Sequence, residues 1–221
     1  MSNNVKTNYK EMAYEVIKNK IITCELMPGE IVDQGKLQEE IGVSRTPVRE
    51  AINALEQEGL IVVMPRRGVI VSNISIHEIG HIYIVREAIE PLVAKLATPY
   101  VEKDKLESFY EIFNRKKLDY QLIFRNDLLL HMYIAEKTGN KHLVRLLDGV
   151  LCQNMRIVVL TAQIPERLQI SNQEHLKIIE MMLKRDAEGA ETAMRQHIES
   201  AKSVAFRVPS LDDNKMYQKW Q

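Results

Sequence analysis

The stretch GVSRTPVREA, residues 42–51, decides the fold of the N-terminal part of the chain. Ser44 is a favoured N-cap and Pro47 falls in the first turn, where proline is tolerated, so the stretch predicts the start of a helix. Arg45 and Arg49 stand one turn apart in that helix. Two cations near a helix N-terminus are unfavourable for an isolated helix, because the macrodipole is positive there. They become favourable when the helix faces a polyanion.

The flanking pattern predicts three helices followed by a β-hairpin. Residues 8–24 have apolar positions at helical spacing, and a short helix capped by Asp33 follows. After the third helix, the β-branched runs LIVVM and VIVS are joined by PRRG, which is a hairpin signal. This order predicts a winged helix-turn-helix domain over residues 1–72, with Arg66 and Arg67 at the tip of the wing.

The placement of these arginines suits DNA. In a helix-turn-helix the second helix lies in the major groove, and its N-terminal residues reach the base edges. An arginine binds guanine O6 and N7, or a phosphate, through two hydrogen bonds. The alternative is that Arg45 and Arg49 are solvated on an ordinary helical hairpin. Because the net charge over 221 residues is zero, the DNA-binding hypothesis depends on where the charges lie.

Beyond the hairpin the pattern is helical, so we predict a mostly α protein with an all-helical second domain over residues 73–207. The predicted helices cover residues 75–98, 102–119, 121–138, 141–161, 171–185 and 187–206. Pro91 is expected to kink or divide the first helix. SNQE, residues 171–174, predicts a capping box at the start of the fifth, and Asp186 is expected to cap the sixth. The tail, residues 208–221, is expected to be flexible.

Four polar residues lie on the apolar stripes of three of these helices. Asp127 and His131 are four residues apart on one helix, and His175 and His197 come from two others. A buried carboxylate is costly unless it is paired or binds a metal. One carboxylate and three imidazoles suit a divalent transition metal, with zinc as the first expectation and nickel, iron and manganese open. The alternative is four core residues that are each satisfied separately.

The remaining histidines that stand out are expected at the surface. His77 and His81 are also four residues apart, but they lie off the apolar stripe of their helix. His142 opens a helix beside a lysine. We therefore leave these three out of the metal site.

No apolar run reaches the length of a membrane span, and the N-terminal residues include no apolar signal region. The two cysteines, Cys24 and Cys152, are far apart and form no motif. We expect a cytoplasmic protein without disulfides and without a membrane partner.

Residues 28–72 resemble the DNA-binding domain of the GntR family of bacterial transcription regulators. The run GVSRTPVREA, then EGL at residues 58–60 and Gly68 in the wing, carry the resemblance. It implies that Arg45 and Arg49 read or clamp operator DNA, that Thr46 contacts phosphate, and that the wing glycine allows a close approach.

The sequence departs from this family early in the short helix that Asp33 caps, which precedes the DNA-reading helix. Many relatives have an arginine where this chain has Gly35, and the adjacent Lys36 is the candidate substitute. The predicted DNA contacts are Lys36, Ser44, Arg45, Thr46, Arg49, Arg66, Arg67 and Gly68.

Residues 75–206 are similar to the FCD ligand-binding domain of the FadR subfamily, which is an antiparallel all-helical bundle. The motif DLLLH, residues 127–131, and the histidine pair within residues 174–197 carry this resemblance. Relatives with all four residues bind a divalent metal, and a small carboxylate effector completes its coordination. Six predicted helices resemble the VanR-type branch. The resemblance implies a metal site of Asp127, His131, His175 and His197.

Two arginines are predicted to bind the carboxylate of the effector. Arg86 falls on the inward side of the first bundle helix, where the family often has an arginine, and an ion pair with Glu90 is the alternative. Arg156 is proposed from its position alone.

Together these features predict a homodimeric transcription regulator, a repressor, that binds an inverted-repeat operator. A small organic acid at the metal would control its DNA affinity by favouring one arrangement of the bundle. The alternatives are a metal-dependent hydrolase that activates water, and a regulator whose metal is purely structural.

Overall fold

The structure is a computed structural model that describes residues 8–115, 120–161 and 165–207. The chain divides into two units, Met1–Ile74 and Ser75–Gln221. The first unit contains α1 (Tyr9–Ile22), α2 (Gln34–Ile41), α3 (Arg45–Gln57), β1 (Ile61–Met64) and β2 (Gly68–Val71). This order confirms the predicted winged helix-turn-helix fold. The predicted tail, residues 208–221, lies outside the described residues.

Packing of α3 against α1 builds the core of the first unit. The apolar stripe of α3 is fully buried there, and burial of a large aliphatic side chain contributes about 1.5–3 kcal/mol. This stripe consists of Val48, Ala51, Ile52 and Leu55. Asp33 caps α2 as predicted, because its carboxylate accepts hydrogen bonds from the backbone N–H groups of Gly35 and Lys36 at 2.8 and 3.1 Å. Gly42, at φ 72°, ends α2 in the left-handed conformation that lets the chain turn into α3.

The two strands form the predicted antiparallel hairpin. Ile61 pairs with Val71, and Met64 pairs with Gly68 at the tip. Ile31 adds a single bridge to Ile70 on the other side of β2. The buried residues of this hairpin, including Ile61 and Val71, complete the core beneath α3.

The second unit is a bundle of helices. It consists of α4 (Ile76–Ala97), a 3-10 turn (Thr98–Tyr100), α5 (Lys103–Phe113), α6 (Tyr120–Lys137), α7 (Lys141–Thr161), α8 (Pro165–Leu183) and α9 (Ala187–Ala205). Helix α4 packs on α9 and α6, α8 packs on α9 and α5, and α6 packs on α7. Within the described ranges, no helix is both long and apolar enough to cross a membrane.

The structure corrects two helix boundaries. Helix α8 begins at Pro165, not at the predicted capping box, so the capping role of residues 171–174 is wrong. Proline is favoured at the first helical position and Glu166 lies in the first turn, which together form an earlier start signal. Helix α5 ends at Phe113, earlier than predicted, and the end of the predicted range, residues 116–119, lies outside the described residues.

Helix α4 runs through Pro91 without being divided. Proline removes one backbone hydrogen bond, but Pro91 is buried in the bundle, and the packing of α4 on α9 and α6 holds the helix together. The predicted cap of α9 is confirmed, since the Asp186 carboxylate accepts a hydrogen bond from the N–H of Gly189 at 2.9 Å.

Candidate functional site

The exposed face of α3 presents the predicted DNA-reading residues. Arg45, Thr46, Arg49, Glu50 and Asn53 line one open depression on this face. Arg45 and Arg49 are exposed, and neither has an ion-pair partner within the described part of the chain. Their positive charge therefore remains available to an anion such as a DNA phosphate.

Ser44 lies in the turn between α2 and α3, and Lys36 lies in the first turn of α2. Ser44 occupies the N-cap position of α3 as predicted, but its hydroxyl makes no capping hydrogen bond. Lys36 is largely exposed, and its ammonium lies 3.9 Å from the carboxylate of Glu40, one turn later. Such an exposed pair contributes little, so Lys36 can turn towards another anion at small cost.

The wing tip is a tight turn. The N–H of Arg67 donates to the carbonyl of Met64 at 3.1 Å, which closes the turn over Pro65 and Arg66. Arg66 has φ 68°, a left-handed conformation that residues other than glycine adopt at a cost. Gly68 follows at φ 95° with open space around it. Both wing arginines are exposed at the end of the hairpin.

The four residues of the predicted metal site meet in the second unit. Helix α6 supplies Asp127 and His131, α8 supplies His175, and α9 supplies His197. All four are buried, and one ligand atom from each lies within 4.8 Å of the others. Nε2 of His175 lies 3.1 Å from Oδ1 of Asp127 and 3.3 Å from Nε2 of His131. We call these four residues the quartet.

The pKa shifts of Asp127, His175 and His197 suit the binding of a cation. Burial lowers the pKa of His175, although Asp127 opposes this effect. Burial and the two neighbouring histidines also hold the pKa of His197 well below its usual value. Burial disfavours the ionised form of Asp127, but the hydrogen bond to His175 and the charges of the three histidines together outweigh this and lower the pKa of the carboxyl. A carboxylate with neutral imidazoles is the form that binds a divalent metal.

The spacing of the quartet also fits a metal. An ion with bonds of about 2.1 Å in tetrahedral geometry separates its ligand atoms by about 3.4 Å. Two of the ligand-atom pairs, at 3.1 and 3.3 Å, are near this value, and the whole set lies within 4.8 Å. Small movements of side chains would therefore complete the coordination. The donor set suits zinc, nickel, iron or manganese.

Two carboxylates that were not predicted as part of the site contact the outer nitrogens of two histidines. Oε2 of Glu90 contacts Nδ1 of His131, and Oε2 of Glu174 lies 2.8 Å from Nδ1 of His197. Carboxylates in this position are common behind metal-bound histidines, where they fix the ring. Burial disfavours the ionised form of Glu90, but Arg86 and His131 lower its pKa to about 2.

A small cavity adjoins the quartet. Asp127 and His197 line it, together with Arg86 and Arg167, and its volume is about 30 Å³, room for about two water molecules. Asn154 also lines the cavity, and its amide oxygen is buried without a hydrogen-bond partner among the described residues.

The structure separates the two predicted effector arginines. Arg86 lines the cavity, and its Nε lies 2.5 Å from Oε1 of Glu90, so the ion pair considered as an alternative is also present. Arg156 is buried but is not among the residues that line the cavity, and its Nη1 donates to Gln153 at 2.9 Å. Arg167 of α8 also lines the cavity. The histidines expected at the surface, His77, His81 and His142, are exposed.

These two units define a class of protein. A winged helix-turn-helix with unpaired arginines on α3, followed by a helical bundle with a polar cavity, is the architecture of a DNA-binding transcription regulator. Residues 9–71 match the description "Bacterial regulatory proteins, gntR family", and residues 81–200 match the FCD domain. The chain therefore belongs to the GntR family, with an FCD domain as its C-terminal part.

Individual relatives agree with this assignment. The chain is 30% identical over 211 residues to an HTH-type transcriptional regulator from an unstable DNA locus of Streptomyces ambofaciens, covering 88% of this chain and 84% of the relative. It is 25% identical over 196 residues to the HTH-type transcriptional repressor RspR of Escherichia coli K12, covering 86% and 85%. Among solved structures, E. coli McbR/YncC has a TM-score of 0.81 at 17% identity, covering 90% and 97%.

Membership of the family establishes the broad function. The chain is a DNA-binding transcription regulator and not an enzyme, which removes the hydrolase alternative. The FCD domain is a metal-binding effector domain in some homologues, and this chain has a buried group of one aspartate and three histidines in that domain.

Proposed function

We propose that the chain is a homodimeric repressor that binds an inverted-repeat operator. The unpaired charges of Arg45 and Arg49 on the exposed face of α3 support a position in the major groove, one helix for each half-site. Arg66 and Arg67, at the end of the wing, suit the DNA backbone or the minor groove. The proposed DNA contacts are Lys36, Ser44, Arg45, Thr46, Arg49, Arg66, Arg67 and Gly68.

The quartet would hold one divalent transition metal, with zinc as our first choice. The observation that carries this proposal is the convergence of four buried ligand atoms from three helices within 4.8 Å. A metal there would supply a Lewis-acidic positive charge. Four protein ligands leave room for another ligand only when the coordination number exceeds four, as nickel, iron, manganese and expanded zinc sites allow.

The effector would be a small organic acid bound in the adjoining cavity. Arg86 and Arg167 offer guanidinium groups for a carboxylate, and Asp127 and His197 bring the metal to the same wall. The unpartnered amide oxygen of Asn154 favours an acid that also has a hydrogen-bond donor, such as a hydroxyl. Arg156, which does not line this cavity, is left out of the proposed site.

The acid would act by binding one arrangement of the bundle better than another, and so by changing the spacing of the two DNA-binding units in the dimer. Release from DNA is the outcome we expect for a repressor. The six helices α4–α9 of the described residues support membership of the VanR-type branch of the FadR subfamily. Because the operator is chromosomal DNA, we propose that the protein acts in the cytoplasm.

The metal content of protein purified without a histidine tag tests this proposal. Wild type should contain about one transition metal per chain, His175→Ala should contain none, and His142→Ala, which alters an exposed histidine, should match wild type. Absence of metal from wild type, even after loading, would refute the metal site.

DNA binding then separates a regulatory metal from a structural one. His175→Ala should still bind operator DNA but should no longer respond to any acid. Pairs of acids that differ by one hydroxyl, such as malate and succinate, test the effector class by thermal shift on metal-loaded protein. If no acid changes the DNA affinity of loaded wild type, the metal is structural.

A further inference from the structure

Two similar series of hydrogen-bonded side chains run from the cavity wall to the quartet. The first series begins at Arg86. Its guanidinium binds one oxygen of Glu90 at 2.5 Å, and the other oxygen of Glu90 contacts Nδ1 of His131. All three side chains are buried. This first series thus joins Arg86 of α4, which lines the cavity, to the quartet histidine His131 of α6.

The second series repeats the order arginine, glutamate, histidine on different helices. Nη1 of Arg167 lies 3.1 Å from Oε2 of Glu174, and the same oxygen lies 2.8 Å from Nδ1 of His197. Arg167 also donates to the hydroxyl of Ser200 at 3.1 Å. An arginine that lines the cavity again holds a carboxylate behind a quartet histidine.

We propose that Glu90 and Glu174 are positioning residues that fix His131 and His197 with the proton on Nδ1, so that Nε2 faces the metal. The inference rests on the proposed metal site. Neither carboxylate touches the metal in this arrangement, and each acts through its histidine. The arginines fix the orientation of the carboxylates by holding them from the cavity side.

The proton positions follow from hydrogen-bond chemistry. An ionised carboxylate only accepts hydrogen bonds, so the nitrogen that it contacts must be the one with the proton. A neutral imidazole has one N–H, and therefore Nε2 of His131 and of His197 is left with a free lone pair.

The third histidine of the quartet provides an internal contrast. Nδ1 of His175 is buried and has no hydrogen-bond partner among the described residues, while its Nε2 lies 3.1 Å from the Asp127 carboxylate. The ring packs on Phe113, with 4.6 Å between ring centroids. In metal-free protein the proton of His175 should therefore be on Nε2, opposite to the other two. Metal binding must remove the proton from this nitrogen only.

Long-range proton–nitrogen NMR on metal-free protein reads these tautomers directly. We expect Nδ1–H at His131 and His197 and Nε2–H at His175. Glu174→Ala should convert His197 to the Nε2–H form that imidazole prefers in water, whereas Glu174→Gln should retain Nδ1–H through its amide oxygen. Glu174 is the better target because 18% of its side chain is exposed, against 2% for Glu90.

Cobalt(II) binding supplies the second measurement. Glu174→Ala should weaken cobalt affinity 10- to 100-fold, by about the factor found when such outer carboxylates are removed. The control is Glu87→Ala, since Glu87 pairs with Lys202 at 2.8 Å and does not contact the quartet. Its cobalt affinity and its His197 tautomer should equal those of wild type.

Two results would overturn the inference. One is Nε2–H at His197 in wild type, and the other is loss of stability in Glu174→Ala with an unchanged tautomer, which would make Glu174 a structural ion-pair partner only. Failure of wild type to bind cobalt would refute the metal site separately, because the tautomers are read without metal.

Discussion

Replacement of Arg66 by glycine should stabilise the N-terminal unit and weaken DNA binding at the same time. Arg66 holds φ at 68° in the turn of the wing, where a residue with a Cβ is disfavoured by about 1 kcal/mol relative to glycine. Glycine removes this cost. It also removes one of the two cations that the wing presents to the DNA backbone.

The two effects have different magnitudes and different readouts. A gain of about 1 kcal/mol should raise the Tm of the N-terminal unit by roughly 4–8 °C, because the unit is of the size for which this conversion holds. Loss of one phosphate contact for each wing should reduce the slope of log K against log salt by about 0.9 per protomer. Near 0.15 M salt this corresponds to about fivefold weaker binding for each wing.

Calorimetry on the full chain measures the first effect, and fluorescence anisotropy with operator and scrambled duplexes, over a range of salt concentrations, measures the second. Arg66→Lys keeps both the cation and the strain, so it should match wild type closely. Arg66→Asn removes the charge but tolerates the left-handed conformation. An unchanged salt slope in Arg66→Gly would refute the phosphate contact, and an unchanged Tm would refute the strain argument.

Three further predictions concern other parts of the chain. Arg45→Ala and Arg49→Ala should each cost about 1–3 kcal/mol of operator affinity if they read bases, and equal losses on scrambled DNA would indicate phosphate contacts instead. The lowered pKa of Glu90 means that its ion pair with Arg86 and its hydrogen bond with His131 stabilise the fold above pH 4.5, and that this stability is lost as the pH falls from 4.5 towards about 2. At about 1.4 kcal/mol per pH unit the loss is about 3 kcal/mol; urea unfolding of metal-free protein should detect it, and an equally steep acid dependence in Glu90→Gln would contradict it. Asp186→Ala removes the cap of α9 and should cost about 0.5–2 kcal/mol, and an unchanged midpoint in urea would mean that the hydrogen bond to Gly189 contributes nothing.

The first unit is predictable from sequence because its signals are local. Asp33 caps the N–H groups two and three residues later, Gly42 ends the same helix, and the buried stripe of α3 repeats at helical spacing. The start of α8 is harder to predict, because Pro165 and Ser171 both begin plausible helices. The apolar pattern after Ser171 is the same whether the helix begins at Pro165 or at Ser171.

The four residues of the quartet are predictable because each lies on the apolar stripe of its own helix, but the contacts that surround them between helices are not. Asp127 and His131 form a motif on α6, whereas the contact between Glu90 and His131 joins residues 41 positions apart. Glu90 lies on the inward stripe of α4, and a buried carboxylate needs a hydrogen-bond or ion-pair partner. This signal could have identified Glu90 from the sequence. The choice between Arg156 and Arg167 depends on the rotation of two helices about their axes, which the periodicity of either helix leaves open.

The size of the cavity beside the quartet has a kinetic consequence for the proposed effector. A space for about two water molecules is too small for an organic acid of four or more heavy atoms, so a wall must move before the acid enters. The observed association rate should then level off at high acid concentration, at the rate of opening. Departure of the acid must wait for the same opening. The acid would therefore stay bound for some time after the concentration of free acid has fallen. Transcription would then respond to the average concentration of the acid more than to brief fluctuations.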